Sequence, residues 1–136
     1  MNYWIFQCKQ DRYNIADPYV LYSGMKGYWL ANQYRSDMKP GDKVFFWLAG
    51  ESSIRGIYGY GVLTSTPYKW ERGEDVGYSV DIMCTERLNR FMPVADIKGN
   101  IDLHEMRILN MAIGSNFLLS TEEGQEIESM IQRMEA

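Results

Sequence analysis

The sequence has very little of what most enzyme active sites need. It contains one histidine, His104, and two cysteines, Cys8 and Cys84, which stand far apart. It has no Gly-x-Ser-x-Gly nucleophile elbow, and Glu105 directly after His104 does not make the His-x-Glu pattern of zinc deaminases. Because no second cysteine pair has metal-ligand spacing, we expect both thiols to be reduced and packed. We predict no catalytic residues, no metal and no cofactor.

Long apolar runs and targeting signals are also missing. No run approaches the roughly 18 apolar residues that span a bilayer, and the N-terminus lacks the charged region and cleavage site of a signal peptide. We therefore expect a cytoplasmic location and no membrane contact. Proline and glycine are scattered rather than clustered into a linker, which predicts a single domain over residues 1–136. The glycines do not follow phosphate-loop spacing.

Basic residues are too few for an ordinary nucleic-acid-binding surface, since the net charge is -4. The charges are unevenly placed, however. Residues 1–70 carry five Lys and three Arg against five acids, whereas residues 71–136 carry six basic and thirteen acidic residues. We therefore expect any phosphate contacts to come from the N-terminal half.

Aromatic residues are abundant, with four Trp, ten Tyr and five Phe. Most of them should be core, because aromatic side chains have large apolar surfaces to bury. Trp4, Phe45 and Trp47 fall within predicted strands and are expected there. Trp29 and Trp70 stand beside predicted loops, and two indoles across a barrel end would suit a planar base, which stacking stabilises by roughly 1–3 kcal/mol.

The pattern along the chain predicts an α+β domain. A central strand is expected at residues 3–8. The turn at residues 38–42 predicts a strand directly after it, and the nearly continuous apolar run from Lys43 to Leu48 predicts that this strand is buried on both faces. Residues 54–63 and 78–84 predict two further strands. Gly56, Gly59 and Gly61 predict bends or close backbone approach within the first of these two.

Helices are predicted at three places. Residues 29–37 lack glycine and proline and are assigned about two turns of helix, and residues 102–109 a second helix. The clearest is the C-terminal helix, where Ser120 and Glu123 form a capping box before an apolar stripe.

Several short motifs occur in an order and spacing that resemble the EVE domain, a member of the PUA-like superfamily related to the YTH domain. The resemblance covers nearly the whole chain, and it implies a PUA-like mixed β-barrel of about five to six strands, flanked by short helices and closed by a C-terminal helix. The motifs are Asn2-Tyr3-Trp4-Ile5, Gly27-Tyr28-Trp29, Met38-Lys39-Pro40-Gly41-Asp42-Lys43, Ile54-Arg55-Gly56-Ile57-Tyr58-Gly59 with Thr66-Pro67-Tyr68, and Gly114-Ser115-Asn116-Phe117.

The resemblance implies a non-catalytic module that holds a modified base, of the methylated cytosine or adenine class, in an aromatic cage. The expected partner is DNA or RNA, in association with a restriction or RNA-modification system. By position, the resemblance makes Trp29 one cage wall and Trp70 the second. The full set of implied base contacts is Trp29, Trp70, Tyr28, Gln7, Cys8 and Asn116, and the implied phosphate contacts are Lys9, Lys26 and Arg35.

Two other functions are compatible with the residues. Asp37 and Asp42 would serve a metal-dependent nucleic-acid-processing enzyme. The acidic second half would suit a PUA-like scaffold that binds a protein or a small metabolite. Instead of contacting a base, Asn116 would make a local hydrogen bond in a turn that connects to the last helix.

Overall fold

A computed structural model describes residues 1–136 and contains one curled, mixed sheet of seven strands. This is one strand more than the five to six predicted, and the predicted barrel with short helices and a C-terminal helix is confirmed. The strands are β1 (Tyr3–Lys9), β2 (Lys26–Leu30), β3 (Lys43–Ala49), β4 (Gly56–Leu63), β5 (Tyr68–Arg72), β6 (Asp75–Pro93) and β7 (Asn116–Leu119). The helices are a 3-10 turn (Arg35–Asp37), α1 (Val94–Lys98), α2 (Arg107–Asn110) and α3 (Thr121–Glu135).

The strand order is β2-β6-β4-β3-β1-β7, and β5 pairs with the first part of β6. Strand β1 is central as predicted: it lies parallel to β3 on one side and antiparallel to β7 on the other. The first and last strands along the chain are therefore hydrogen-bonded neighbours.

Strands β1 and β3 are buried on both faces, because alternate side chains enter two different cores. Tyr3 and Ile5 belong to the core under helix α3, whereas Trp4 and Phe6 belong to the core inside the barrel. The same alternation holds in β3. The expected burial of Trp4, Phe45 and Trp47 is confirmed.

The glycines of β4 allow the barrel to curl. The pairing register of β4 with β6 shifts at Gly59 and again at Gly61. A Cβ atom on Gly61 would lie 1.9 Å from the carbonyl oxygen of Met83. These positions therefore need glycine for close backbone approach, as the sequence predicted.

Helix α3 closes one face of the sheet. Its capping box is present: the Ser120 hydroxyl accepts from the Glu123 amide at 3.1 Å, and the Glu123 carboxylate accepts from the Ser120 amide at 2.9 Å. Gly124 lies flat on the ring of Tyr3, where a Cβ would come within 2.1 Å of the ring. None of the helices combines the length and apolar character needed to cross a membrane.

An ion-pair cluster also ties α3 to the sheet. The Glu128 carboxylate accepts from the Tyr3 hydroxyl at 2.7 Å and from the Lys43 ammonium at 2.6 Å. The hydrogen bond to Glu128 raises the pKa of Tyr3 and also that of Lys43. The cluster joins three elements that are distant in the sequence.

Two helix predictions were wrong in whole or in part. Residues 29–37 do not form a helix: Trp29 and Leu30 end strand β2, and only Arg35–Asp37 make a 3-10 turn. The reason is tertiary, since β2 pairs with β6 along its whole length. Residues 102–105 form turns, and helix α2 begins only at Arg107.

Candidate functional site

The sheet does not close by strand pairing between β2 and β7, and two side-chain amides bridge this seam instead. The Asn116 Nδ2 group donates to the Leu30 carbonyl at 2.8 Å, and its Oδ1 accepts from the Asn32 and Gln33 amides at 2.8 and 3.2 Å. In return, Gln33 Oε1 accepts from the Ser115 and Asn116 amides at 3.0 and 3.1 Å. Asn116 is 2% exposed, so its amide is occupied in holding the seam together.

A cavity of about 600 Å³ opens beside the seam. It lies between the end of β1, strand β2 and the segment before β7. Its lining residues are Gln7, Cys8, Lys9, Arg12, Tyr13, Gly27, Tyr28, Trp29, Leu30, Ala112, Ile113, Gly114 and Ser115. Five of the residues implied by the family resemblance, namely Gln7, Cys8, Lys9, Tyr28 and Trp29, therefore come together.

The aromatic surface of the cavity is built around Trp29. This indole is 5% exposed and packs edge-on against Tyr13 at 5.4 Å and tilted against Phe46 at 5.5 Å between ring centroids. Its Nε1 group donates to the Gln7 carbonyl at 3.2 Å. Trp29 is thus part of the barrel core as well as part of the cavity lining, whereas Tyr28 is 67% exposed.

Trp70 does not line this cavity. It lies in β5, directly opposite Gly77 in β6, and its ring covers that glycine so closely that a Cβ there would lie 2.3 Å from Cζ2 of the indole. The ring fills the space that the missing side chain leaves. The structure therefore does not bring Trp29 and Trp70 together, and the cavity-lining ring that packs against Trp29 is Tyr13.

Gln7 shapes the cavity by holding its far wall. Its Nε2 group donates to the carbonyls of Ala112 and Gly114 at 3.1 and 2.8 Å. Its backbone amide donates to the Ser115 carbonyl at 2.8 Å. Both amide hydrogens of this side chain are therefore engaged by the segment before β7.

Cys8 is a neutral thiol in the cavity wall. Its Sγ donates to the Trp47 carbonyl at 3.6 Å, and burial raises its pKa to about 12. A thiol with such a pKa has almost no thiolate near neutral pH and is a poor nucleophile. Its chemistry suits packing or weak hydrogen bonding.

Lys9 and Arg12 place two positive charges on the cavity wall. Both residues are exposed, and neither side chain has an ion pair or hydrogen bond within the chain. Arg12 is not among the residues predicted from the sequence, although the basic character of the N-terminal half indicated this region. Lys26 is exposed on β2 and does not line the cavity.

Arg35 also lies outside the cavity lining. Its guanidinium stacks on the Tyr78 ring at 3.9 Å from the centroid, and its Nη1 faces the carbonyls of Ala31 and Asn32 at 3.5 Å. Arg35 therefore braces the chain that leaves β2.

Another arginine positions the segment that carries Arg12 and Tyr13. The Arg87 guanidinium donates to the carbonyls of Ile15, Ala16 and Leu21 at 2.7 to 3.0 Å. These bonds fix a segment with little regular structure against β6. Nothing in the local sequence signals this role, because its partners lie some seventy residues earlier, at separations of 66 to 72.

The two acids considered as metal ligands serve the fold. The Asp42 carboxylate is 3% exposed and accepts from the amides of Asn2 and Lys39 at 3.1 Å and from the Trp4 indole at 3.0 Å. Asp37 contributes its backbone carbonyl to the Asn2 side chain at 3.0 Å. Asp42 is therefore a structural acceptor, and the pair gives no support to a metal-dependent reaction.

Solved structures with the same fold cover nearly all of the chain. The chain is similar to a hypothetical protein from Leishmania major, with a TM-score of 0.79 and 16% identity, over 100% of this chain and 98% of that one. It is also similar to human THYN1, solved in complex with DNA that contains 5-methylcytosine, with a TM-score of 0.73 and 16% identity over 97% and 98% of the two chains.

A more distant similarity is to the YTH domain of Mmi1, solved in complex with RNA, with a TM-score of 0.57 and 15% identity over 97% and 78% of the two chains. No curated protein sequence matches this chain. The neighbours agree with the PUA-like fold that the motifs predicted. A family model described as the EVE domain matches residues 2–130, and the chain therefore belongs to the EVE domain family.

Proposed function

We propose that this chain is a nucleic-acid-binding module that takes one modified base, of the methylated cytosine or adenine class, into the cavity beside the seam. The observation that carries the proposal is the combination of aromatic lining and unpaired positive charge in one opening. Tyr13, Tyr28 and Trp29 supply the rings, and Lys9 and Arg12 supply the charges. The role is binding, and no residue is assigned a catalytic step.

Size and shape fit this role. A cavity of about 600 Å³ lies within the roughly 300–1,000 Å³ of ordinary small-molecule sites. The exposed Tyr28 ring offers a stacking surface, and a base stacked on an aromatic ring gains roughly 1–3 kcal/mol. Trp29 forms the apolar floor, where a methyl substituent would avoid water.

The open edge of β2 offers hydrogen bonds to the edge of a base. The Ala31 amide bonds to Tyr78 in β6, whereas the Leu30 carbonyl points across the seam to Asn116. Because backbone groups alternate in direction along an antiparallel pair, the amide and carbonyl of Tyr28 point to the seam side. They are a fixed donor and acceptor at the cavity.

The neighbours add independent support. Human THYN1 was solved with DNA that contains 5-methylcytosine, and the Mmi1 YTH domain with RNA. These complexes, on the same fold, support a nucleic-acid ligand for this chain. Under this proposal, a duplex substrate would have to extrude its base, at a cost of a few kcal/mol that stacking and edge contacts would offset.

The direct test is a comparison of oligonucleotides that differ in one base. Single strands with one 5-methylcytosine, one N6-methyladenine or neither are titrated into the protein by fluorescence anisotropy. We expect the unchanged protein to prefer one modified strand. Replacing Tyr28 with Ala should weaken that binding about tenfold, because a stacking surface is lost.

Tyr19 is the matched control, since it is 90% exposed and does not line the cavity. Tyr19→Ala should bind as the unchanged protein does, and both variants should keep the melting temperature. Equal binding of modified and unmodified strands by the unchanged protein would refute the proposal. A Trp29→Ala variant is less informative, because that indole is also core.

A small-metabolite site is the second candidate. The cavity volume and the overall charge of -4 favour it. A salt titration separates the two, because binding through phosphates weakens steeply as salt rises. Affinity for a free modified nucleoside that equals affinity for the strand, with no salt dependence, would favour the metabolite.

A further inference from the structure

The segment before β7 leaves apolar side chains in solvent at the mouth of the cavity. Met111 is 53% exposed and Ile113 is 84% exposed, and Ala112 between them is exposed as well. Ile113 also belongs to the cavity lining. Three consecutive apolar residues are thus exposed at the mouth of the cavity, and contiguous exposed apolar surface of this kind marks interaction sites.

This segment is held firmly from behind. Gln7 binds the carbonyls of Ala112 and Gly114 at 3.1 and 2.8 Å, and Gln33 Oε1 accepts from the Ser115 amide at 3.0 Å. Gly114 has φ +117°, which favours glycine at this turn. These hydrogen bonds hold the backbone of the segment against the barrel, and the side chain of Ile113 projects into solvent.

We propose that Ile113 is a wedge that fills the gap left in a duplex when the modified base enters the cavity. The inference rests on the proposed function and adds the form of the substrate: double-stranded nucleic acid. Proteins that distort a duplex insert apolar side chains of this kind between base steps. Ile113 would cover the faces of the neighbouring bases that extrusion exposes, and it would thereby stabilise the duplex with its modified base extruded.

The charged residues near Ile113 favour nucleic acid as its binding partner. Lys9 and Arg12 also line the cavity and remain unpaired, so an apolar tip and two positive charges share one opening. A duplex offers the complement of this pattern, with apolar base faces between phosphates. Ile113 is a positioning residue in this scheme.

The test compares duplex and single strand in one experiment. The probes are a short duplex with one 5-methylcytosine, the same duplex with one N6-methyladenine instead, and the corresponding single strands. We expect Ile113→Ala to weaken duplex binding about tenfold and to leave single-strand binding within about twofold. Ile113→Leu should restore duplex binding.

Extrusion itself is followed by 2-aminopurine placed next to the modified base. Its fluorescence should rise when the unchanged protein binds the duplex, and this rise should be lost in Ile113→Ala. Ile101→Ala is the matched control, since Ile101 is 82% exposed but does not line the cavity, and it should behave as the unchanged protein does.

The outcomes distinguish this inference from the proposed function. If the unchanged protein prefers a modified single strand but does not bind the duplex, the wedge is refuted and base binding stands. If Ile113→Ala leaves duplex binding unchanged, the wedge is again refuted, and the segment is better explained as a surface for a protein partner. If neither modified strand is preferred in either form, both proposals fail.

Discussion

The two sides of the curled sheet are sealed in different ways. On the side of α3, closure is by direct packing, with Gly124 on the Tyr3 ring and Glu128 bonded to Tyr3 and Lys43. On the seam side, the amides of Asn116 and Gln33 join two strands that do not pair. Helix α3 packs directly on the sheet, whereas the side-chain bridges of the seam join two strands that do not pair, and the cavity lined by Trp29 lies beside these bridges.

The largest effect is expected from breaking the seam with Asn116→Ala. The change removes three part-buried hydrogen bonds, to the Asn32 and Gln33 amides and the Leu30 carbonyl, so we expect a loss of roughly 2–4 kcal/mol in the free energy of unfolding. Urea denaturation measures it. Asn110→Ala is the control, because that exposed side chain makes one bond, to the Met106 carbonyl; an equal loss in both variants would contradict the assignment.

A smaller loss is expected on the packed side from Gly124→Ala. Alanine usually stabilises a helix relative to glycine, but here the new methyl group would meet the Tyr3 ring, and overpacking costs about 1–3 kcal/mol. Thermal melting measures the change. Gly99→Ala should be close to neutral, since its nearest neighbour would be 3.4 Å away. A stabilised Gly124→Ala variant would show that the contact is loose.

Binding by these two variants sharpens the comparison. Below their melting temperatures, Gly124→Ala should retain base preference, whereas Asn116→Ala should lose it because its seam no longer fixes the cavity wall. Loss of preference in both would mean that the two sides are mechanically coupled.

The charges of the seam side can be tested through Arg12→Gln. We expect an affinity loss of a few-fold and a decrease of about one in the slope of log K against log salt, because one phosphate contact disappears. Arg90 is the matched control, since it is exposed on β6 and does not line the cavity. An unchanged salt slope in Arg12→Gln would show that Arg12 does not contact a phosphate.

The smallest effect concerns the Cys8 thiol. Burial raises its pKa from about 9 to about 12, so the unfolded chain releases this proton first as the pH rises. The stability linked to the thiol is present below pH 9 and is lost between about pH 9 and 12, and the loss at pH 9 is roughly 0.4 kcal/mol. Melting at pH 7 and pH 9 measures it, and Cys8→Ala should show a smaller decrease; an equal decrease would assign the effect to other groups.

The sequence predicted the elements whose signals are local. The capping box at Ser120, the turn before β3 and the glycine bends of β4 each depend on neighbouring residues or on backbone sterics. Strand β2 was missed because it is only five residues long and begins Lys26-Gly27, so that the strand preference of Tyr28 and Trp29 was outweighed, and its form depends on pairing with β6. Pairing between segments some fifty residues apart produces no recognisable pattern in the sequence of either segment.

The lining of the cavity was predicted only in part. The family motifs indicated Trp29 and the end of β1, but not the partner ring, because Trp70 covers Gly77 while Tyr13 enters the cavity from a turn. The position of Tyr13 depends on Arg87, which binds its segment from far along the chain. Such roles follow from tertiary contacts and could not be predicted from spacing.

The central position of β1 has a consequence for how the chain is made. Residues 3–9 are synthesised before residues 116–135, yet the latter supply one of the two strands beside β1, namely β7, and the covering helix α3. The barrel therefore cannot be completed until residues 116–135 have been synthesised, and such distant contacts also slow folding. A nascent chain stalled before residue 116 would keep the edge of β1 that β7 covers without its partner strand.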